Sequence, residues 1–118
     1  MVENILVVDD SRVSRMLIRT IINHVNPDAT VIEAKDGKDA LAKIEATNIT
    51  MATVDLNMPG DINGLDLASE LRGRFLNAKI SLLTANIQEA VKQKAEKIGI
   101  GFIPKPITEE KILAFLNS

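Results

Sequence analysis

The sequence predicts an α/β domain in three layers, a doubly wound five-stranded parallel sheet with helices on both faces. Three observations carry this. Short apolar runs alternate along the chain with longer stretches of helical period. The runs are bounded by polar or turn residues and are mostly rich in β-branched residues, as strands buried on both faces are. The length of 118 residues fits one compact domain, taken as residues 1–118.

The first run is Ile5-Leu6-Val7-Val8. Ser11 is placed to cap the helix after it. In that helix Arg12, Arg15, Arg19 and Asn23 mark a solvated face, with Val13, Met16, Leu17 and Ile21 on the other side. The second run is Thr30-Val31-Ile32, then an Asp36-Gly37 turn and a helix with Ala40, Leu41 and Ile44 inward. The third is Met51-Ala52-Thr53-Val54, followed by a Pro59-Gly60 turn and a helix carrying Leu67, Ala68 and Leu71. The fourth is Ile80-Ser81-Leu82-Leu83, with Ile87, Ala90, Val91, Ala95 and Ile98 as the helical stripe. The fifth is Phe102-Ile103, and the last helix presents Ile112, Leu113 and Leu116. Thr108 caps it, and Glu109 and Glu110 suit its positive end. Each stripe follows i, i+3, i+4 spacing.

Right-handed crossovers and this size favour the flavodoxin-like strand order 2-1-3-4-5. The second and fifth strands are then edges. Pro104, in or just after the fifth, supports this, because an edge tolerates a missing N–H.

Composition narrows the function. The net charge is −2, and no Lys/Arg stripe of the kind that reads nucleic acid is present. There is no cysteine, which excludes disulfides and thiolate metal sites and fits a reducing compartment. Met1-Val2-Glu3-Asn4 lacks the basic segment of a signal peptide, and no run approaches the ~20 apolar residues of a membrane span. A cytoplasmic protein that meets neither membrane nor nucleic acid directly is expected.

Ligands of such sheets bind outside the carboxyl ends of the strands. Asp9 and Asp10 follow the first strand, Asp55 the third, Thr84 the fourth and Lys105 the fifth. Crowded carboxylates repel, and without compensation one takes up a proton. A hard divalent cation relieves this, and Asp oxygens, a carbonyl and waters suit Mg²⁺, with Mn²⁺ as a substitute. The ion and Lys105 balance the acidic charge, so an anion can approach Asp55 as nucleophile. Phosphoryl transfer needs mainly positioning and electrostatics. Taken singly, each residue has a plainer role: helix cap, solvated lysine, turn threonine. Their coincidence at strand ends does not.

Here the chain resembles the receiver domains of bacterial response regulators, the CheY-like type. The motifs are Ile5-Leu6-Val7-Val8-Asp9-Asp10-Ser11, Glu33-Ala34-Lys35-Asp36-Gly37, Asp55-Leu56-Asn57-Met58-Pro59, Gly64, Leu83-Thr84-Ala85 and Lys105-Pro106. They span essentially the whole chain in order. The resemblance implies that Asp55 is the phosphoacceptor, that Asp10 binds Mg²⁺ directly and Asp9 through water, and that Asn57 gives its backbone carbonyl. It implies Thr84 as a switch hydroxyl, Lys105 as the partner of the phosphoryl group, and a cis Lys105-Pro106 bond. Phe102 stands at the aromatic switch position, and Asn57 and Asn86 at positions that modulate dephosphorylation. The implied partners are a sensor histidine kinase or histidine phosphotransfer protein as donor, and a downstream target on the face of the fourth helix, fifth strand and fifth helix. The Asp55–Gly64 loop is one residue longer than the usual pattern, through Gly60-Asp61-Ile62-Asn63.

Three rivals are weighed against this. A flavin protein of the same fold needs a phosphate loop after the first strand, where Asp9-Asp10 would repel it. An Asp-nucleophile, Mg²⁺-dependent phosphatase would place Asp-x-Asp there instead of adjacent aspartates. A pseudo-receiver, an interaction module that is never phosphorylated, is favoured only by the longer loop. Neither Gly-x-Gly-x-x-Gly nor a Walker A sequence occurs. His24, the single histidine, lies late in the first helix and is not needed for the chemistry.

Overall fold

The computed structural model describes residues 3–118. Within them the elements alternate strictly: β1 Asn4–Val8, α1 Arg12–Val25, β2 Thr30–Ala34, α2 Gly37–Lys43, β3 Met51–Asp55, α3 Gly64–Arg74, β4 Lys79–Thr84, α4 Glu89–Lys97, β5 Gly101–Pro104 and α5 Glu109–Asn117. The strands pair in parallel in the order β2-β1-β3-β4-β5, as expected. Pro104 ends the edge strand β5.

Side-chain alternation divides the core in two. Leu6, Val8, Ala52, Val54, Ile80 and Leu82 point to one face and meet α2, α3 and α4. Ile5, Val7, Leu83 and Ile103 point to the other and meet Ile18 and Ile22 of α1 and Ile112 and Phe115 of α5. Ser11, Asp36, Asn63 and Thr108 cap α1, α2, α3 and α5 with side-chain oxygens. Asp36-Gly37 is thus a helix start rather than a free turn.

Two helices differ from the sequence expectation. In α1 the inward residues are Ile18, Ile21 and Ile22, whereas Val13, Met16 and Leu17 are 76%, 52% and 43% exposed. Both sets satisfy the same spacing, so periodicity alone did not fix the helix's rotation. The three isoleucines fill the groove over β1. In α4 only Ala95 is buried; Ala90 is exposed, and Ile87 lies before the helix and is exposed. Gln88, at the α4 N-cap, makes no side-chain cap bond. This helix has the weakest apolar anchoring of those described.

Arg72, near the end of α3, binds the opposite end of the molecule together. Its guanidinium donates to the carbonyls of Phe75, Leu76, Ala78, Ile98 and Gly99, at 2.7–3.4 Å. It thereby fastens both the α3–β4 and α4–β5 turns. Removing it leaves half-buried carbonyls without a charged donor. Arg72→Ala should cost about 2–3 kcal/mol, read from the urea midpoint, and Arg72→Lys should not restore the loss, since an ammonium cannot span the two turns as the planar fork does.

Candidate functional site

The rows of side chains that face α1 and α5 are mostly apolar in mid-sheet, with buried Thr53 and Ser81 among them, and several end in charge. Asp9 continues the ladder of β1, its N–H donating to the Ala34 carbonyl at 3.1 Å. Lys105 does the same beyond β5, its N–H donating to the Thr84 carbonyl at 2.9 Å. Asp55 and Thr84 are the last residues of β3 and β4. Parallel strands ending at one level therefore deliver these side chains to a common rim.

Carboxylate oxygens of Asp9, Asp10 and Asp55 lie within 4.8 Å of one another. Asp9 and Asp55 are buried, and Asp10 is exposed. Lys105 Nζ stands 3.4 Å from Asp55 Oδ1 and 3.9 Å from Asp9 Oδ2. Asp55 Oδ1 also accepts the Asn57 N–H at 3.2 Å, and Asp9 Oδ1 the Ser11 N–H at 2.9 Å. Asp9 Oδ2 is buried without a hydrogen-bond partner. The Lys105-Pro106 bond is cis.

Burial pushes the Asp9 carboxyl above the ordinary carboxylate range, against the Ser11 N–H that favours its charge. Burial also raises Asp55, opposed by the Lys105 ammonium and the Asn57 N–H. The arrangement is short of positive charge, and Asp9 Oδ2, without a hydrogen bond and with only the Lys105 ammonium at 3.9 Å, reflects that shortage. Hard oxygen donors gathered around such a deficit fit a divalent cation of the Mg²⁺ class.

Thr84 is buried, and its Oγ1 is turned to the next turn of chain, donating to the Asn86 carbonyl at 3.0 Å and accepting the Asn86 N–H at 3.2 Å. Asn57 and Asn86 are exposed, and they border one cleft of about 410 Å³ together with Asn63 and Gln88. Phe102 is half-buried on the α3/α4 side of β5, apart from the carboxylates. His24 is exposed in the last turn of α1.

A family model described as the response regulator receiver domain matches residues 5–117. The chain is 32% identical over 116 residues to the chemotaxis protein CheY of Thermotoga maritima, covering 98% of this chain and 95% of that one. The chain belongs to the response regulator receiver domain family. Among solved structures, Vibrio cholerae CheY4 superposes with a TM-score of 0.88 at 27% identity, covering 99% of this chain and 98% of that one. A Burkholderia pseudomallei response regulator with a phosphorylated aspartic acid, calcium ion and citrate superposes at 0.84 with 30% identity, over 97% of this chain and 66% of that one. Other curated relatives are longer, and the chain spans 30% of one and 53% of another. Among the described residues, no helix of this receiver domain is long and apolar enough to cross a membrane.

The receiver domain contains a support that the sequence reading missed. Arg15 is not on a solvated face. It turns inward, its Nη1 donating to the Asp9 carbonyl at 2.7 Å and its Nε to Glu33 at 3.2 Å. Arg19 reaches the other Glu33 oxygen at 2.8 Å. Hydrogen bonds from Arg19 and Arg15 hold the Glu33 carboxyl below its ordinary range against the cost of its burial. The available signal was Glu33 itself, a charge inside the Thr30–Ala34 strand, which requires a partner.

The raised Asp55 carboxyl makes a prediction about pH. The protonated form stabilises the metal-free fold below the ordinary carboxylate value near pH ~4, and that contribution is lost as pH rises through the raised folded-state value. Asp55→Asn mimics the neutral form. In EDTA it should melt higher than wild type at neutral pH, with the gap closing toward pH ~4, as thermal melts across pH will read. A gap that stays constant with pH contradicts this.

Proposed function

We propose that this receiver domain accepts a phosphoryl group on Asp55 from a phosphohistidine of a sensor kinase or phosphotransfer protein, and answers by a change of conformation that alters its affinity for a downstream partner. The observation that carries the reading is the meeting of Asp9, Asp10 and Asp55 with Lys105 at the carboxyl rim of the sheet. The phosphorylated aspartic acid and calcium ion of the 30%-identical Burkholderia structure support it. Asp9, Asp10, Asp55 and the Asn57 carbonyl are the groups proposed to hold Mg²⁺. When bound, the ion supplies the positive charge that lets anionic reactants meet.

An Asp55 carboxylate oxygen attacks phosphorus, a P–O bond forms, and the P–N bond to the donor imidazole breaks. The departing imidazole keeps the electron pair of that bond. The Lys105 ammonium, already 3.4 Å from Asp55 Oδ1, is placed to pair with a phosphoryl oxygen. The Asn57 N–H, which bonds Asp55 Oδ1 at 3.2 Å, orients the nucleophile. No general base is needed, because the nucleophile is already an anion.

The added charge then competes for the Thr84 hydroxyl. To donate to the phosphoryl group, Thr84 Oγ1 gives up the Asn86 carbonyl it now holds at 3.0 Å. That releases the start of the β4–α4 connection, ahead of the helix with least burial. Phe102, half-buried behind that helix on β5, follows by packing alone, since it has no hydroxyl to donate. The output surface proposed is the face of α4, β5 and α5. Asn57, whose N–H bonds Asp55, and Asn86, which borders the same cleft as Asn57, are proposed to tune how water reaches the acyl phosphate. The protein is in this reading a cytoplasmic signalling phosphoacceptor that acts only on its own phosphorylation and autodephosphorylation.

Incubation with a small acyl phosphate tests this by intact mass. Wild type should gain one phosphoryl group with Mg²⁺ or Mn²⁺ and none in EDTA, and Asp55→Asn should gain none. Lys105→Ala should slow labelling by about 100-fold. Thr84→Ala should still be labelled but lose the change in amide exchange across α4. Full labelling of Asp55→Asn would move the acceptor elsewhere, and a wild type that stays unlabelled would favour a pseudo-receiver.

A further inference from the structure

We infer that Ile62, seated on Gly37 at the amino end of α2, positions the loop that carries the Asn57 carbonyl for metal binding; this rests on the Mg²⁺ reading above. The loop, residues 56–63, is closed at its base, where the Gly64 N–H donates to the Leu56 carbonyl at 3.2 Å. A Cβ on Gly64 would overlap the Asp55 carbonyl oxygen and lie 2.6 Å from Leu56 Cα, so α3 starts directly against the backbone of the acceptor.

Above that base, polar contacts run out. The Asn57 N–H bonds Asp55, but among the described residues no hydrogen bond reaches residues 58–62. Side-chain packing therefore places the far side of the loop. Met58 and Ile62 are half-buried against the inner core, while Pro59, Gly60 and Asp61 between them are exposed. In that exposed turn Gly60 has a φ of 103°. A left-handed conformation of this kind suits glycine.

Ile62 comes in at a place only glycine leaves open. A Cβ on Gly37 would lie 2.8 Å from Ile62 Cβ, 2.9 Å from its Cγ2 and 3.4 Å from its carbonyl oxygen. Gly37 is itself fixed, as the first residue of a helix whose cap, Asp36, accepts the Asp39 N–H at 2.8 Å. A loop pinned at Gly64 and at Gly37 has its Asn57 carbonyl set between two fixed points. Loosening the second pin leaves Asp9, Asp10 and Asp55 in place and moves only the loop's contribution.

Calorimetric titration of the full chain with Mg²⁺ tests this, beside thermal melts and backbone amide exchange over residues 56–63 in EDTA. Ile62→Val keeps the atoms that touch Gly37 and should bind Mg²⁺ as wild type does. Ile62→Ala and Gly37→Ala should each weaken binding by about tenfold, the low end for groups that orient metal ligands, with faster exchange in the loop before metal is added. Unchanged Mg²⁺ affinity in these two variants, whatever their melting temperatures, would reduce Ile62 to a core residue and overturn the inference. Asp10→Asn separates the two ideas. If it binds Mg²⁺ as tightly as wild type, the metal reading fails first and the loop inference falls with it.

Discussion

Asp9 and Asp55 are held out of water beside a single ammonium, with the carboxylate of Asp10 on the same rim. Burial raises the cost of both charges, and Lys105 offsets only part of it. The fold bears this cost because the groups sit at the end of a sheet whose middle is mostly apolar, and two rows change from core to charge within one residue pair: Val7 to Asp9, Ile103 to Lys105. The same shortage of positive charge underlies the proposed chemistry. A pocket already satisfied by internal ion pairs would have no reason to take a cation or an added phosphoryl group.

The support around the rim is uneven. On the α1 side, Arg15 grips the backbone of Asp9 and, with Arg19, the Glu33 carboxylate of β2. The first strand's end is thereby tied to its edge neighbour and to a helix anchored by Ile18, Ile21 and Ile22. On the α4 side, the Thr84 hydroxyl bonds only the local backbone of Asn86, and the helix beyond has one buried residue and no side-chain cap. Free energy introduced at Asp55 meets a stiff wall in one direction and a loosely held segment in the other. Regions with few buried contacts are those that open or shift at least cost.

Much of this was legible in the sequence because buried parallel strands and their ends follow simple rules. The run Ile5–Val8 followed by Asp9 and Asp10 marks a strand and its carboxyl end without any helix being placed correctly. Strand order followed from chain length and crossover handedness, and Pro104 agreed with an edge. What was not legible depended on rotation and distance. In α1 two overlapping stripes share one period and Ile21, so Val13, Met16 and Leu17 read as core beside Ile21 although Ile18 and Ile22 join it there. Arg15 and Arg72 act through backbone carbonyls, and a carbonyl leaves no mark in a sequence. The short α4 carried apolar residues enough to suggest a buried stripe, but Ile87 precedes the helix and Ala90 faces water.

The loop after Asp55 shows how a segment beside a site can tolerate a change of length. An added residue in a hydrogen-bonded turn would shift every partner after it. Here residues 58–62 make no hydrogen bonds among the described residues, and Pro59–Asp61 is exposed, so a residue added there would displace no partner. The ends of the loop, at Leu56–Gly64 and at Ile62 on Gly37, stay fixed by close contacts that tolerate no Cβ. Length can therefore vary between the pins while the carboxylates, which stand at or just after the ends of β3 and β1, keep their mutual distances. The acidic rim and the loop beside it are separable in this design, because the rim is set by the ends of the strands and the far side of the loop by apolar packing, with Ile62 in a glycine notch.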